Sequence, residues 1–117
     1  MTKLLDLAEH VGAQILTDVS AALVIEHVYA GDRISDLLNQ ASDHTLLVSN
    51  LGGSPLIRVA ELMDVPAICL TNGVVPDERT ICAATDRGIA LIVSPASMFE
   101  TCGRLFEKLA VDQRVNA

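Results

Sequence analysis

The chain has 117 residues, half of them hydrophobic, which is enough for one compact domain with a single core. Its net charge of −7 comes from 15 acidic and 8 basic residues, without the cationic cluster that a nucleic-acid binder needs. No apolar run approaches the roughly 18 residues of a membrane span, and Asp6 interrupts the stretch that a signal peptide would keep apolar. We therefore predict a cytoplasmic protein with neither membrane nor nucleic-acid partners.

The three cysteines do not indicate a site. Their number is odd and they lack C-x-x-C spacing, so neither a disulfide framework nor a zinc site is predicted. Cys69 falls in an apolar strand, and Cys82 and Cys102 fall on apolar helix faces, which predicts that all three are small core residues. No metal and no cofactor is expected.

The first predicted element is a helix that Thr2 caps and that runs to about Val11, with Gly12 ending it. Two strands follow, over residues 13–17 and 22–29, and the second is rich in residues that favour strands. Both belong to the same predicted sheet.

Asp32 is placed to cap a further helix, because the apolar residues after it have helical spacing: Ile34, Leu37, Leu38 and Ala41. The short apolar run 45–49 then predicts a strand buried on both faces, as in a parallel sheet. A glycine-containing turn ends this strand, and Ser54 with Pro55 opens a helix to about residue 64.

The unit of strand, turn and helix recurs twice, with strands at 67–70 and 89–93 and helices at 77–87 and from Ser97. The spacing of about 22 residues fits crossover units in one parallel sheet. We predict a single α/β domain over residues 1–117, a three-layer α/β/α sandwich around a mostly parallel five-stranded sheet.

The last helix has one predicted apolar stripe and a polar end. Residues 112–117 are expected to fray. The stripe consists of Cys102, Leu105, Phe106 and Leu109.

Ligands of such sheets gather beyond the carboxyl ends of the strands, near the point where strand order reverses. Three polar turns should meet there, each before the electropositive start of a helix, so that a phosphate or carboxylate can bind without a cationic side chain. The alternative is that these residues only form turns and caps. The candidate ligand-binding residues are Asp32, Ser49, Asn50, Gly52, Gly53, Ser54, Thr71, Asn72, Gly73 and Ser94.

Catalytic motifs are missing from the sequence. It contains no G-x-G-x-x-G, no phosphate-binding loop of the NTPase kind and no G-x-S-x-G elbow. Among the histidines only His27, in a strand that leads toward Asp32, merits comparison with a catalytic base, and a histidine at a sheet edge or interface is the more common situation. No catalytic residue is predicted.

In their order along the chain, several segments resemble the DRTGG domain, a small α/β module similar to the N-terminal domain of HPr kinase/phosphorylase. They are the opening helix, Val28–Asp32 leading into Ile34–Leu38, Ala67–Gly73 with Pro76, and Ile89–Ser94. The name string of the family is not present as a run, and Gly31-Asp32-Arg33 is the nearest fragment. The resemblance implies a regulatory or scaffolding module, often dimeric, without catalytic residues of its own.

Three functions remain open at this point. The first is a non-enzymatic regulatory module that forms a homodimer and binds a small anionic ligand such as a nucleotide. The second is an interaction subunit that docks on a separate partner enzyme without a ligand. The third is a small enzyme acting at the strand ends, with Asp32, His27 or Ser49 in chemical roles.

Overall fold

The computed structural model describes residues 2–31, 44–50 and 54–116, with the side chains of Ser54 and of residues 113–116 excluded. The helix predicted to begin at Asp32 lies outside the described residues. The elements are β1 Thr2–Lys3, α1 Leu4–Val11, β2 Gln14–Ile15, β3 Val24–Ile25, β4 His27–Ala30, β5 Thr45–Ser49, α2 Ser54–Leu62, β6 Ala67–Leu70, α3 Glu78–Asp86, β7 Ala90–Val93 and α4 Met98–Asn116.

The main sheet has five strands in the order β2-β7-β6-β5-β4. Strands β4, β5, β6 and β7 are parallel neighbours, and the short β2 pairs antiparallel with β7 at one edge. A separate pair, β1 with β3, is antiparallel. The prediction of a mostly parallel five-stranded sheet is confirmed.

Helices cover both faces of this sheet because successive strand residues point to opposite sides. In β5, Leu47 packs in the core cluster that contains the α2 residues Leu56 and Ile57. Its neighbours Leu46 and Val48 pack in the second cluster, with α1 and with Leu105 of α4. The predicted three-layer sandwich is therefore confirmed. Among the described residues, no helix combines the length and the apolar content needed to cross a bilayer.

Strand order differs from the prediction at one point that concerns ligand binding. The parallel strands β4, β5, β6 and β7 lie side by side in chain order, so their order does not reverse within the described sheet. The crossover helices α2 and α3 contact each other on one face. The expected crevice at a point of reversal is therefore not formed between these strands.

Two predictions for the N-terminal segment are wrong. Thr2 does not cap α1, since it pairs with Ile25 in the small sheet and its hydroxyl donates to Asp112 Oδ2 at 2.7 Å. The predicted strand 22–29 is divided at Glu26, because the amides of Glu26 and His27 both donate to the carbonyl of His44, at 2.9 and 3.2 Å. This bulge-like step passes the chain from the small sheet to the large one.

The last two helices also correct the sequence interpretation. Helix α4 continues to Asn116, so the polar end of the chain is helical within the segment 112–117, for which fraying stays a prediction. Phe106 is 76% exposed, because it lies about 100° around the helix from the fully buried Leu105. Cys82 is exposed on α3, Cys102 is half-buried, and Cys69 alone is buried as predicted. Gly12, with a φ of 70°, ends α1 as expected.

Candidate functional site

Three turns meet at the carboxyl ends of β5, β6 and β7, and together we call them the carboxyl rim: residues 49–50, 71–73 and 94–96. Backbone hydrogen bonds join them. Asn72 N–H donates to the Ala96 carbonyl at 2.7 Å, and Gly73 N–H donates to the Ser94 carbonyl at 2.9 Å. Thr71 N–H donates to the Ser49 carbonyl at 3.1 Å. The three turns therefore form one continuous edge.

Asn50 connects the first turn to the second through its side chain. Its Oδ1 accepts from Asn72 Nδ2 at 2.8 Å and also from the Thr71 hydroxyl. Asn72 and Gly73 have positive φ values of 58° and 64°, a conformation that asparagine and glycine tolerate best and that turns the chain toward the third turn. The Asn-Gly pair in the sequence thus has a defined structural task.

Ser94 joins the rim to helix α4. Its amide donates to the Leu70 carbonyl at 2.7 Å, and its hydroxyl accepts from the Ala96 amide at 3.2 Å. The same hydroxyl lies 2.8 Å from the hydroxyl of Thr101, and both side chains are fully buried. Thr101 was not found from the sequence. The only signal was its place on the buried side of α4, one turn after Ser97.

The structure brings together most of the predicted site residues that it describes: Ser49, Asn50, Thr71, Asn72, Gly73 and Ser94. Ser49, Thr71 and Ser94 are fully buried, whereas Asn50, Asn72 and Gly73 are exposed. Ser54 begins α2, and its side chain is not described. Asp32, Gly52 and Gly53 lie outside the described residues. The ligand-binding role of these ten residues stays a prediction.

The helix starts near the rim differ in charge. The carboxylate of Asp77 accepts from Thr80 N–H at 2.8 Å at the start of α3, and hydrogen bonds from Thr80 lower the pKa of Asp77. At α4, the Ser97 hydroxyl accepts from Glu100 N–H at 3.2 Å. Acidic residues stand in the first turns of α1, α3 and α4, but not in that of α2. Among the described helices, α2 therefore offers the start at which an anion meets the least repulsion.

His27 and His44 lie at the amino ends of the strands, away from the rim. His27 pairs with Thr45 at the amino end of β5, and Ser49 is four residues further along, about 13 Å at the usual rise of a strand. His10 bonds to Glu107 at 3.1 Å between α1 and α4, and His44 approaches Glu26 at 3.9 Å. His27 is therefore beyond hydrogen-bond reach of the Ser49 hydroxyl, with which a catalytic role was considered.

Cys69, beneath the rim, is an inert thiol. Burial raises its pKa to about 12, which outweighs the lowering by its contact with the Ser94 backbone. The thiol therefore stays protonated at neutral pH and serves as a small apolar side chain.

Fold and rim together define a small three-layer α/β domain whose polar turns gather at one edge of the sheet, where β5, β6 and β7 end. A solved structure from Clostridium perfringens has a similar fold: the CBS and DRTGG domains of the regulatory region of a pyrophosphatase, complexed with its activator diadenosine tetraphosphate. The TM-score is 0.68 at 16% sequence identity, over 89% of this chain and 46% of the other. Our chain thus spans about half the length of that region.

The predicted resemblance to the DRTGG domain is confirmed at the level of the fold. No protein-family model and no curated protein sequence matches the chain.

Proposed function

We propose that this protein is a regulatory module without catalytic activity, which self-associates and binds a small anionic ligand, such as a nucleotide, where β5 leads into α2. The observation that carries the ligand proposal is the charge distribution at the rim. The chain has a net charge of −7, yet the rim residues 49–50, 71–73 and 94–96 include no acid, and neither does the first turn of α2. An anion at the start of α2 meets backbone and side-chain dipoles, whereas acidic residues stand in the first turns of α3 and α4.

A regulatory role is supported by the shared fold and by the arrangement of possible catalytic groups. The pyrophosphatase region with this fold is regulatory and was solved with a nucleotide activator. In our chain His27 is separated from the rim by the length of β5, and burial holds the Cys69 thiol in its protonated form. Among the residues that the structure describes, neither side chain is paired with the base or nucleophile that catalysis would require.

Ligand binding can be tested by isothermal titration and thermal shift with diadenosine tetraphosphate, ATP, AMP and inorganic phosphate. A ligand at ~100 times its dissociation constant adds ~2.7 kcal/mol to the free energy of unfolding, which raises Tm by several degrees for a domain of this size. No shift and no binding heat with any of these anions at millimolar concentration would refute the ligand proposal.

Asn50→Asp is the sharpest variant, because a carboxylate at this position still accepts the hydrogen bonds from Asn72 and Thr71. Its added negative charge near the start of α2 should weaken anion binding at least ~10-fold, about 1.4 kcal/mol. The matched control is Thr85→Asp on the exposed last turn of α3, near the amino ends of the strands, where the same charge should leave binding unchanged.

A second candidate function, docking on a separate enzyme without a ligand, is favoured by the pairing within the rim. The amides of Asn72 and Gly73 already donate to the carbonyls of Ala96 and Ser94. These amides would have to leave their partners before they could bind an anion. Capture of an enzyme from the native cell by a protein that binds none of the tested anions would favour this second function.

A further inference from the structure

We propose that one side of helix α4 is the surface through which two copies of this chain pair, with Phe99 of each copy entering a concavity beside Phe106 of the other. We call this surface, made by Phe99, Gly103 and Phe106, the α4 flank. The inference rests on the self-association in the proposed function and specifies where it takes place.

Both phenylalanines of the chain are exposed, and both lie on this flank. Phe99 is 89% exposed and Phe106 is 76% exposed, although aromatic side chains dominate the cores and interfaces of proteins. Together with Gly103 they follow i, i+4, i+7 spacing, which aligns them along one side of the helix. An aligned pair of exposed aromatic rings is typical of a protein–protein contact.

Gly103 gives the flank room for close approach. A Cβ atom built at this position has no other atom within 4 Å, so the backbone of α4 is open to the outside between the two rings. A second helix can therefore approach more closely here than it could over a larger side chain.

A concavity of about 340 Å³ lies beside Phe106. Its apolar walls come from β4 and α4, and its polar walls are Glu26 and His27. The volume exceeds the ~150 Å³ of a cavity that accepts benzene, so one phenyl ring fits. The apolar lining residues are Val28, Ala30, Cys102, Phe106 and Leu109.

A two-fold axis makes the ring and the concavity complementary. Phe99 and Phe106 lie at equal sequence distance from the peptide between Cys102 and Gly103. An antiparallel pairing of two α4 helices about this point places Phe99 of each copy opposite Phe106 of the other copy. The contact is then made twice and closes on itself, as in the isologous interfaces of most dimers.

Area and charge agree with a second copy as the occupant. Four aromatic rings, at ~150 Å² or more each, supply about half of the ~1,200 Å² of a specific interface before their neighbours on α4 and β4 are counted. Ion pairs within α4, Glu100 with Arg104 at 2.6 Å and Lys108 with Asp112 at 3.3 Å, nearly balance the charge of the helix. Two copies of this acidic chain therefore meet little repulsion at this side.

Sedimentation velocity from ~1 to ~200 µM tests the interface. We expect a dimer for the wild type, and at least ~100-fold weaker association for Phe99→Asp and Phe106→Asp, because each substitution removes a buried ring twice. The control is Val75→Asp, a similar change at an apolar residue that is 82% exposed outside α4, which should leave the dimer intact. Circular dichroism confirms that each variant is folded.

The two proposals fail in different ways. A wild type that stays monomeric at ~200 µM refutes self-association. The flank would then be a docking surface for a different protein. A dimer that persists in Phe99→Asp and Phe106→Asp refutes this interface alone. In a Cys82→Ser, Cys102→Ser background, Gly103→Cys should form a disulfide-linked dimer on mild oxidation, and its failure to do so while a dimer sediments places the axis elsewhere.

Discussion

The carboxyl rim and the α4 flank present opposite kinds of surface. At the rim, hydrogen-bonding groups of three turns are paired with each other, through Asn50, Asn72 and Ser94 above all. At the flank, Phe99 and Phe106 expose apolar rings beside a concavity. The rim contains clustered polar residues, whereas the flank contains the apolar surface that a partner can bury.

This difference shows that a cluster of polar residues does not by itself indicate a binding site. A serine or asparagine at the end of a strand can serve the fold entirely, as Ser94 does with Thr101. An apolar side chain on the outer side of a helix contributes little to the stability of the monomer, as is expected for Phe106. Substitutions in the two regions should therefore separate stability from association.

Neighbouring residues of α4 give the largest expected contrast in stability. Leu105 is fully buried, so Leu105→Ala should lower the free energy of unfolding by about 2–5 kcal/mol. Phe106→Ala, one residue further, should change it by less than ~0.5 kcal/mol in the monomer, because the ring is mostly exposed. Urea unfolding at low micromolar concentration measures both. A cost above ~2 kcal/mol for Phe106→Ala in the monomer would contradict the placement of this ring.

Substitutions in the rim should cause an intermediate loss of unfolding free energy. Thr101→Val removes the hydroxyl that pairs with Ser94 in a buried place, which should cost about 1–3 kcal/mol of unfolding free energy. The double variant Ser94→Ala, Thr101→Val should cost less than the sum of the single variants, because they share the bond that is lost. Strict additivity in a double-mutant cycle would show that this hydroxyl pair contributes nothing specific.

The smallest effect on stability is expected for the hydrogen bond between Thr2 and Asp112 of α4. The hydroxyl of Thr2 donates to Asp112 and lowers the pKa of that carboxyl below its ordinary value of 3.8. The resulting stabilisation is present above pH ~4 and is lost as pH falls through the folded-state pKa. Thr2→Val should therefore lower the urea midpoint at pH 7, and the difference from the wild type should shrink toward pH 3. A difference that does not depend on pH would contradict the role of Asp112.

The sequence was sufficient to predict the central units because local signals agree there. The apolar runs before Ser49, Thr71 and Ser94 are buried strands, and the helices predicted over 77–87 and from Ser97 begin at Glu78 and Met98. The turns also occupy one edge, as parallel strands require. These features depend on spacing within about 20 residues and on the usual pairing of such units.

The features that the sequence did not predict depend on contacts between residues distant in sequence. Such contacts cannot be inferred from the periodicity of apolar residues. Thr2 has the chemistry of a helix cap, yet it forms a strand because Ile25 lies beside it. Phe106 fits an apolar stripe with Leu105, but only the position of the sheet determines which side of the stripe is covered.

Strand β2 pairs with β7, so Gln14 meets Val93 near the other end of the described chain. Contacts this distant in sequence close only after a long loop has been ordered, which slows folding. During synthesis on the ribosome, β2 cannot pair until β7 has emerged. The main sheet is thus completed only after β7 has been synthesised, and until then one edge of the growing sheet stays available to other chains.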